Sequence, residues 1–212
     1  AAILIASPIC HGLSHLEPDF GMYVSKILTD LFSAEDRNSK LVGCFMLFFA
    51  AHLFQHEPET ALSVDKILEI LRPLLSDKDQ ILRKRANKAF RVLLDTEVLL
   101  TEGAIKAYLA YFDSFPKEYL AEYFKIISSF VVPHNENDDE YMDEEDQGEP
   151  EVKLEIIQPI VDFVNDHLSS EDPNVRALCL DVMSDLGFKD YDYIEDDVPK
   201  ALDVAQALID SK

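Results

Sequence analysis

The strongest constraint on this chain is a twelve-residue template that occurs twice. Leu82-Arg83-Lys84-Arg85-Ala86-Asn87-Lys88-Ala89-Phe90-Arg91-Val92-Leu93 opens with an apolar residue and an arginine. It carries small residues in fifth and eighth place, then large apolar ones. Val175-Arg176-Ala177-Leu178-Cys179-Leu180-Asp181-Val182-Met183-Ser184-Asp185-Leu186 fits the same template, and in both an aspartate stands three residues ahead, Asp79 and Asp172. A third copy starts at Ser39-Lys40, with Gly43 and Met46-Leu47 inside and Asp36 ahead. A fourth starts at Tyr119-Leu120, with Tyr123 and Ile126-Ile127 inside. The starts at 39, 82, 119 and 175 lie 43, 37 and 56 residues apart, and the last gap holds an acidic insertion, His134–Glu151. Without it the period is ~37–43 residues, the length of a unit of two helices that buries its faces only by stacking on the next unit.

Hydrophobic spacing predicts helices over 2–16, 20–33, 39–55, 63–75, 79–95, 102–114, 117–132, 152–168, 173–186 and 198–210. Punctuation agrees. Asn38-Ser39, Thr60, Ser63, Asp79 and Asp172 are candidate caps. Pro116 and Pro173 stand where a first turn tolerates proline, and Gly187 is placed to end its helix. Pro73 and Pro159 fall inside first helices, where each removes a backbone donor and favours a bend.

The segments Leu74-Leu75-Ser76-Asp77-Lys78-Asp79-Gln80-Ile81-Leu82-Arg83 and Leu168-Ser169-Ser170-Glu171-Asp172-Pro173-Asn174-Val175-Arg176 resemble the turn between the two helices of a HEAT repeat. The family pattern is an aspartate-containing turn, then Val-Arg, then small residues on the second helix. The resemblance implies an all-α fold, a right-handed α-solenoid of about four HEAT-like helix pairs plus a terminal helix. It also implies that Asp79 with Arg83, and Asp172 with Arg176, are turn-bracing pairs. Residues 1–212 then form a single repeat segment. Its apolar start, Ala1–Cys10, without a basic region or initiator Met, reads as the interior of a longer solenoid.

Charge narrows the partners. Nineteen Lys and Arg stand against 41 Asp and Glu, a net charge of −22. Such a surface repels phosphate backbones and anionic membranes, so neither direct nucleic-acid binding nor membrane binding is expected. It attracts basic proteins and peptides. The longest apolar run, Leu41–Phe54, falls short of the ~18 residues of a membrane span. Cys10, Cys44 and Cys179 are far apart in apolar runs and read as buried free thiols of a reducing compartment. Location is therefore expected to be intracellular, cytoplasmic or nuclear.

The insertion carries ten carboxylates and no Lys or Arg, which predicts disorder in isolation. One reading makes it an arm that captures a basic partner, or folds back and competes with an acidic one, through Glu136, Asp138, Asp139, Glu140, Tyr141, Asp143, Glu144, Glu145 and Asp146. The other makes it a solvated linker. A second acidic cluster is Asp190, Asp192, Glu195, Asp196 and Asp197. EF-hand spacing is missing from the run, and His11 and His15 have no third ligand fixed by spacing, so no metal or cofactor is expected. The basic helix Arg83, Lys84, Arg85, Lys88 and Arg91 reads either as a solvated face or as a cationic strip for an acidic ligand or for the chain's own acidic arm. The aromatics from Tyr108 to Phe130 read as core, with a groove lining as the alternative. Phosphate-loop, dinucleotide, nucleophile-elbow and zinc-helix motifs are missing from the sequence. The functional expectation is a non-enzymatic protein–protein scaffold or adaptor, similar to a transport receptor or chaperone-like protein, that takes a basic segment on a curved acidic surface. The alternatives are a structural HEAT subunit of a large assembly such as a chromosome-organising complex, and a helical-domain enzyme.

Overall fold

In a computed structural model, residues 20–56, 62–131, 154–189 and 194–210 are described, and no strand occurs among them. Nine α-helices occur among these residues: α1 Phe20–Ser33, α2 Arg37–His56, α3 Val64–Leu75, α4 Gln80–Asp95, α5 Glu102–Leu109, α6 Leu120–Val131, α7 Leu154–His167, α8 Pro173–Lys189 and α9 Val198–Asp210. The chain divides into two compact units, Ala1–Ala107 and Tyr108–Lys212.

In the first unit α1 packs on α2, α3 packs on α4, and the second helices α2 and α4 pack on each other. In the second unit α7 packs on α8, α6 packs on α8 and on α7, and α9 lies against α8. The helices form because apolar residues recur at three and four. Ile67, Leu68, Leu71, Leu74 and Leu75 give α3 one buried stripe. Ser63 starts α3 by accepting the Lys66 amide, and Asp79 starts α4 by accepting the amides of Ile81 and Leu82.

The repeat register predicts burial well. The fifth residues of the four copies, Gly43, Ala86, Tyr123 and Cys179, are all buried. So are the ninth, Leu47, Phe90, Ile127 and Met183, and the twelfth, Ala50, Leu93, Phe130 and Leu186. Fifth, ninth and twelfth places are one helical stripe, so each second helix turns the same face inward.

Four details depart from the expectations. Asn38 and Ser39 lie inside α2; the cap is Asp36, which accepts the Ser39 amide at 2.9 Å. The helices expected over 102–114 and 117–132 are each shorter, separated by 3-10 turns at Phe112–Ser114 and Lys117–Tyr119. Pro116 is the reason, because proline disfavours helical geometry in the residue before it, and Phe115 is extended at φ −77°, ψ 134°. Gly187 does not end α8, which runs on to Lys189, and no described glycine has positive φ. Its small size serves close approach instead, since a Cβ there would stand 2.7 Å from the δ-carbon of Ile194. Finally, two residues past the end of α4, a non-glycine residue, Glu97, is left-handed at φ 61°.

Gly43 also permits close approach: a Cβ there would lie 2.9–3.2 Å from three ring carbons of Phe32. Gly43→Ala gains up to ~1 kcal/mol of helix propensity but overpacks a rigid ring at a cost of ~1–3 kcal/mol. We expect net destabilisation in urea unfolding, relieved when Phe32→Leu is added. A stabilised single variant, or a double variant with purely additive effects, would contradict this account of the α1–α2 contact.

Candidate recognition surfaces

Each hairpin bend must satisfy the carbonyls that end one helix and the amides that begin the next. The bends before α4 and α8 do so in the same way. Arg83 Nη1 donates to the carbonyls of Asp77 at 2.7 Å and Lys78 at 3.2 Å. Arg176 Nη1 donates to those of Ser170 at 2.7 Å and Glu171 at 3.1 Å, the same six and five residues back. On the other side of the bend, Asp79 Oδ1 accepts from Ile81 N at 2.8 Å, and Asp172 Oδ1 from Asn174 N at 2.9 Å. The amide of each aspartate is held in turn, by Asp77 Oδ1 at 2.8 Å and by Ser170 Oγ at 3.2 Å. Aspartate and arginine thus act on opposite sides of one bend, on backbone groups. Asp79 also takes the Arg37 Nε hydrogen bond, from the start of α2. That bond holds the Asp79 carboxyl down at about 2, against an ordinary 3.8.

The other copies show what the template tolerates. Lys40 replaces the arginine in the copy that starts at Ser39, and Ser39 lowers the Asp36 pKa through its hydroxyl and then its amide. In the copy that starts at Tyr119, Pro116 replaces the aspartate and the helix opens through a 3-10 turn.

The aromatic segment is mainly core. Tyr108, Phe115, Tyr123, Phe124 and Phe130 are buried. The rings of Tyr108 and Tyr123 stack with centroids 4.8 Å apart. Tyr108 donates its hydroxyl to the Tyr123 carbonyl at 3.3 Å. Tyr123 donates to the carbonyls of Tyr108 and Leu109, both at 3.1 Å, and so satisfies the end of α5. These rings are therefore not the lining of a groove. Phe112 also joins a neighbouring cluster with Phe163 and His167, whose Nδ1 lies 2.7 Å from the Phe163 carbonyl. The i, i+4 spacing of Phe163 and His167 was the available signal.

Of the residues read as partner-binding, Glu136, Asp138, Asp139, Glu140, Tyr141, Asp143, Glu144, Glu145, Asp146, Asp190 and Asp192 lie outside the described residues, as do Cys10, His11 and His15. Glu195, Asp196 and Asp197 form one 3-10 turn at the start of α9, with Glu195 exposed and Asp197 half-buried. The basic helix divides by role. Arg83 is buried in its bend, Lys84, Arg85 and Lys88 are exposed, and Arg91 is half-buried. Arg85 and Lys88 line a recess of about 80 Å³ with Ala89 and, from α2, Cys44, Phe45 and Phe48. Burial pushes the thiols of Cys44 and Cys179 up to about 12, so both stay protonated at neutral pH. Among the described residues no group of three or more His, Cys, Asp or Glu is placed to hold a metal ion, and no helix is long and apolar enough to cross a membrane.

Compared with protein-family models, curated proteins and solved structures, the chain matches none.

Two predictions test the bends. Arg176→Ala leaves two bend carbonyls short of a donor and strips packed side-chain stem, so it should destabilise by ~1–3 kcal/mol in chemical unfolding. A change within error would deny the brace any energetic role. For Asp79, a carboxylate held below its ordinary pKa stabilises fully above that value and loses its contribution as pH falls through the folded one. The window therefore runs from 3.8 down to about 2. Asp79→Asn keeps the capping oxygen and removes the titration. Its thermal midpoint should fall less than that of the wild type between about pH 5 and pH 2; parallel declines would show that the Arg37 contact is energetically silent.

Proposed function

We propose that this chain is a recognition module of the HEAT type, a right-handed solenoid of about four helix pairs plus a terminal helix, that takes a basic segment of a partner protein on its acidic surface. The repetition of one bend at residues 77–83 and 170–176, down to the same two carbonyls under each arginine, supports the repeat reading above all. The matched inward stripes of α2, α4, α6 and α8 point the same way.

The sign of the surface supports the partner. Forty-one Asp and Glu stand against 19 Lys and Arg, and the resulting net charge of −22 attracts a basic ligand and speeds its encounter. The reading is of a binding module and not of an enzyme; its two buried thiols lack the thiolate character that nucleophilic chemistry needs. The acidic insertion and the Glu195–Asp197 cluster are the proposed contact regions.

Fluorescence anisotropy with a Lys/Arg-rich peptide and an Asp/Glu-rich control of equal length tests this. The basic peptide should bind, weaken steeply with added salt, and bind several-fold less tightly once Asn135–Glu149 is deleted. Indifference to salt and to the deletion would remove the acidic surface from the reading. Salt-resistant binding of an extended mixed-charge segment instead would favour a structural subunit of a larger assembly.

A further inference from the structure

We propose that the groove between α1 and α3 seats one arginine side chain of the partner's basic segment, with its guanidinium on acceptors from both helices and a neighbouring main-chain carbonyl on Lys40. The inference rests on the basic-partner reading, which it narrows to a residue type and a place. The groove lies wholly within the first unit.

Its size suits a long side chain and the peptide that carries it. The volume is about 270 Å³, against the ~150 Å³ that accommodates a benzene ring. Lys66 and Leu74, eight residues apart on α3, both line it, a span of ~12 Å at 1.5 Å per residue. That is roughly three or four residues of extended chain. Phe32 and Ile70 are half-buried in the lining and Leu74 is buried. They give the methylene stem of an arginine an apolar surface to pack on.

The polar lining is rich in acceptors. Thr29 gives its hydroxyl hydrogen to the Ser25 carbonyl at 2.9 Å, and Ser33 gives its own to the Thr29 carbonyl at 2.7 Å. Both hydroxyl oxygens can then only accept. One carboxylate oxygen of Asp77 holds the Asp79 amide, and the other has no hydrogen bond among the described residues. Pro73 lies inside α3 and has no amide hydrogen, so the Glu69 carbonyl loses its regular ladder partner. Lys66 is closed on Glu69, whose two carboxylate oxygens each lie 3.1 Å from its ammonium. A guanidinium brings five N–H groups in one plane to several separate acceptors, where an ammonium brings three about a single point.

Lys40 adds a donor. It occupies the template place of Arg83 and Arg176, yet its ammonium forms no ion pair or hydrogen bond among the described residues. In those two bends the cation at this place rests on main-chain carbonyls. A carbonyl of the bound segment offers Lys40 the same kind of acceptor. The charges of Lys40 and Lys66 are matched by those of Glu69 and Asp77, so the groove is neutral within a chain of net charge −22. A carboxylate in it would face Asp77 and the acidic surface with Lys40 alone to hold it. That imbalance favours a cation.

The test uses the 212-residue chain and two fluorescent Lys-rich peptides of equal length and charge, with Arg or Lys at one central position. The Arg peptide should bind about fivefold or more tightly. The Thr29→Val, Ser33→Ala double variant removes two acceptors and no charge. It should bring the Arg peptide to within about twofold of the Lys peptide and leave the Lys peptide nearly unchanged. Thr29 is half-buried and Ser33 exposed, and an unchanged thermal midpoint shows that the fold is intact. The Ser33→Ala single variant, at an exposed hydroxyl, should lower the Arg preference about twofold on its own. Equal affinity of the two peptides, or an Arg preference that survives in both variants, would overturn this inference and leave the basic-partner reading standing. Failure of either peptide to bind at all would overturn both.

Discussion

When two antiparallel helices meet at a bend of a few residues, one helix presents unpaired carbonyls and the other unpaired amides, and neither set can follow the ladder any further. Leaving such groups buried and unbonded costs about as much as a whole net hydrogen bond each. Everything else in these hairpins depends on resolving that conflict in a small space. A guanidinium reaches back over the carbonyls of Asp77 and Lys78, or of Ser170 and Glu171, while the carboxylate three residues into the bend caps the next helix. With the bend set, the angle at which the second helix leaves is set. The inward stripe from Ala86 to Leu93, and its counterpart from Cys179 to Leu186, then meets its neighbours in register. The first hairpin, with Lys40 in the arginine's place, leans on Arg37 and Asp79 as well.

Much of this was legible in the residues, and the reason is periodicity. The helix positions follow from apolar spacing, and the inward faces from the recurrence of fifth, ninth and twelfth places in the template. Capping by Ser63, Asp79 and Asp172 could be read because short polar side chains before an apolar run have few other uses. What escaped the reading depends on contacts between distant residues. Gly187 looked like a helix terminator, yet what it accommodates is Ile194. Tyr123 was recognisable as an inner residue, but its role at the end of α5 requires that its hydroxyl meet carbonyls fourteen and fifteen residues earlier. Nothing in Asp95-Thr96-Glu97 announces a left-handed residue.

The recess between α2 and α4 lies between these cases. The cationic strip was visible, and its partners were not, because Phe45 and Phe48 sit in a helix that is apolar nearly all round. In such a helix every ring looks like core. A helix apolar on all faces demands cover on all faces, and that demand is the signal that marks α2 as incompletely covered at the Arg85–Lys88 side. The acidic insertion is the opposite case, since its composition is plain and its effect depends entirely on what comes near.

The choice of acceptor at the bends has one more consequence. An amide oxygen neither gains nor loses a proton across the range in which proteins work, and a guanidinium stays charged above any pH a cell reaches. The bonds from each arginine rest on neutral carbonyls, while the aspartate on the other side of the same bend carries the charge. If the acidic surface takes a basic partner as proposed, added salt would loosen that partner and leave the bonds under the arginines in place.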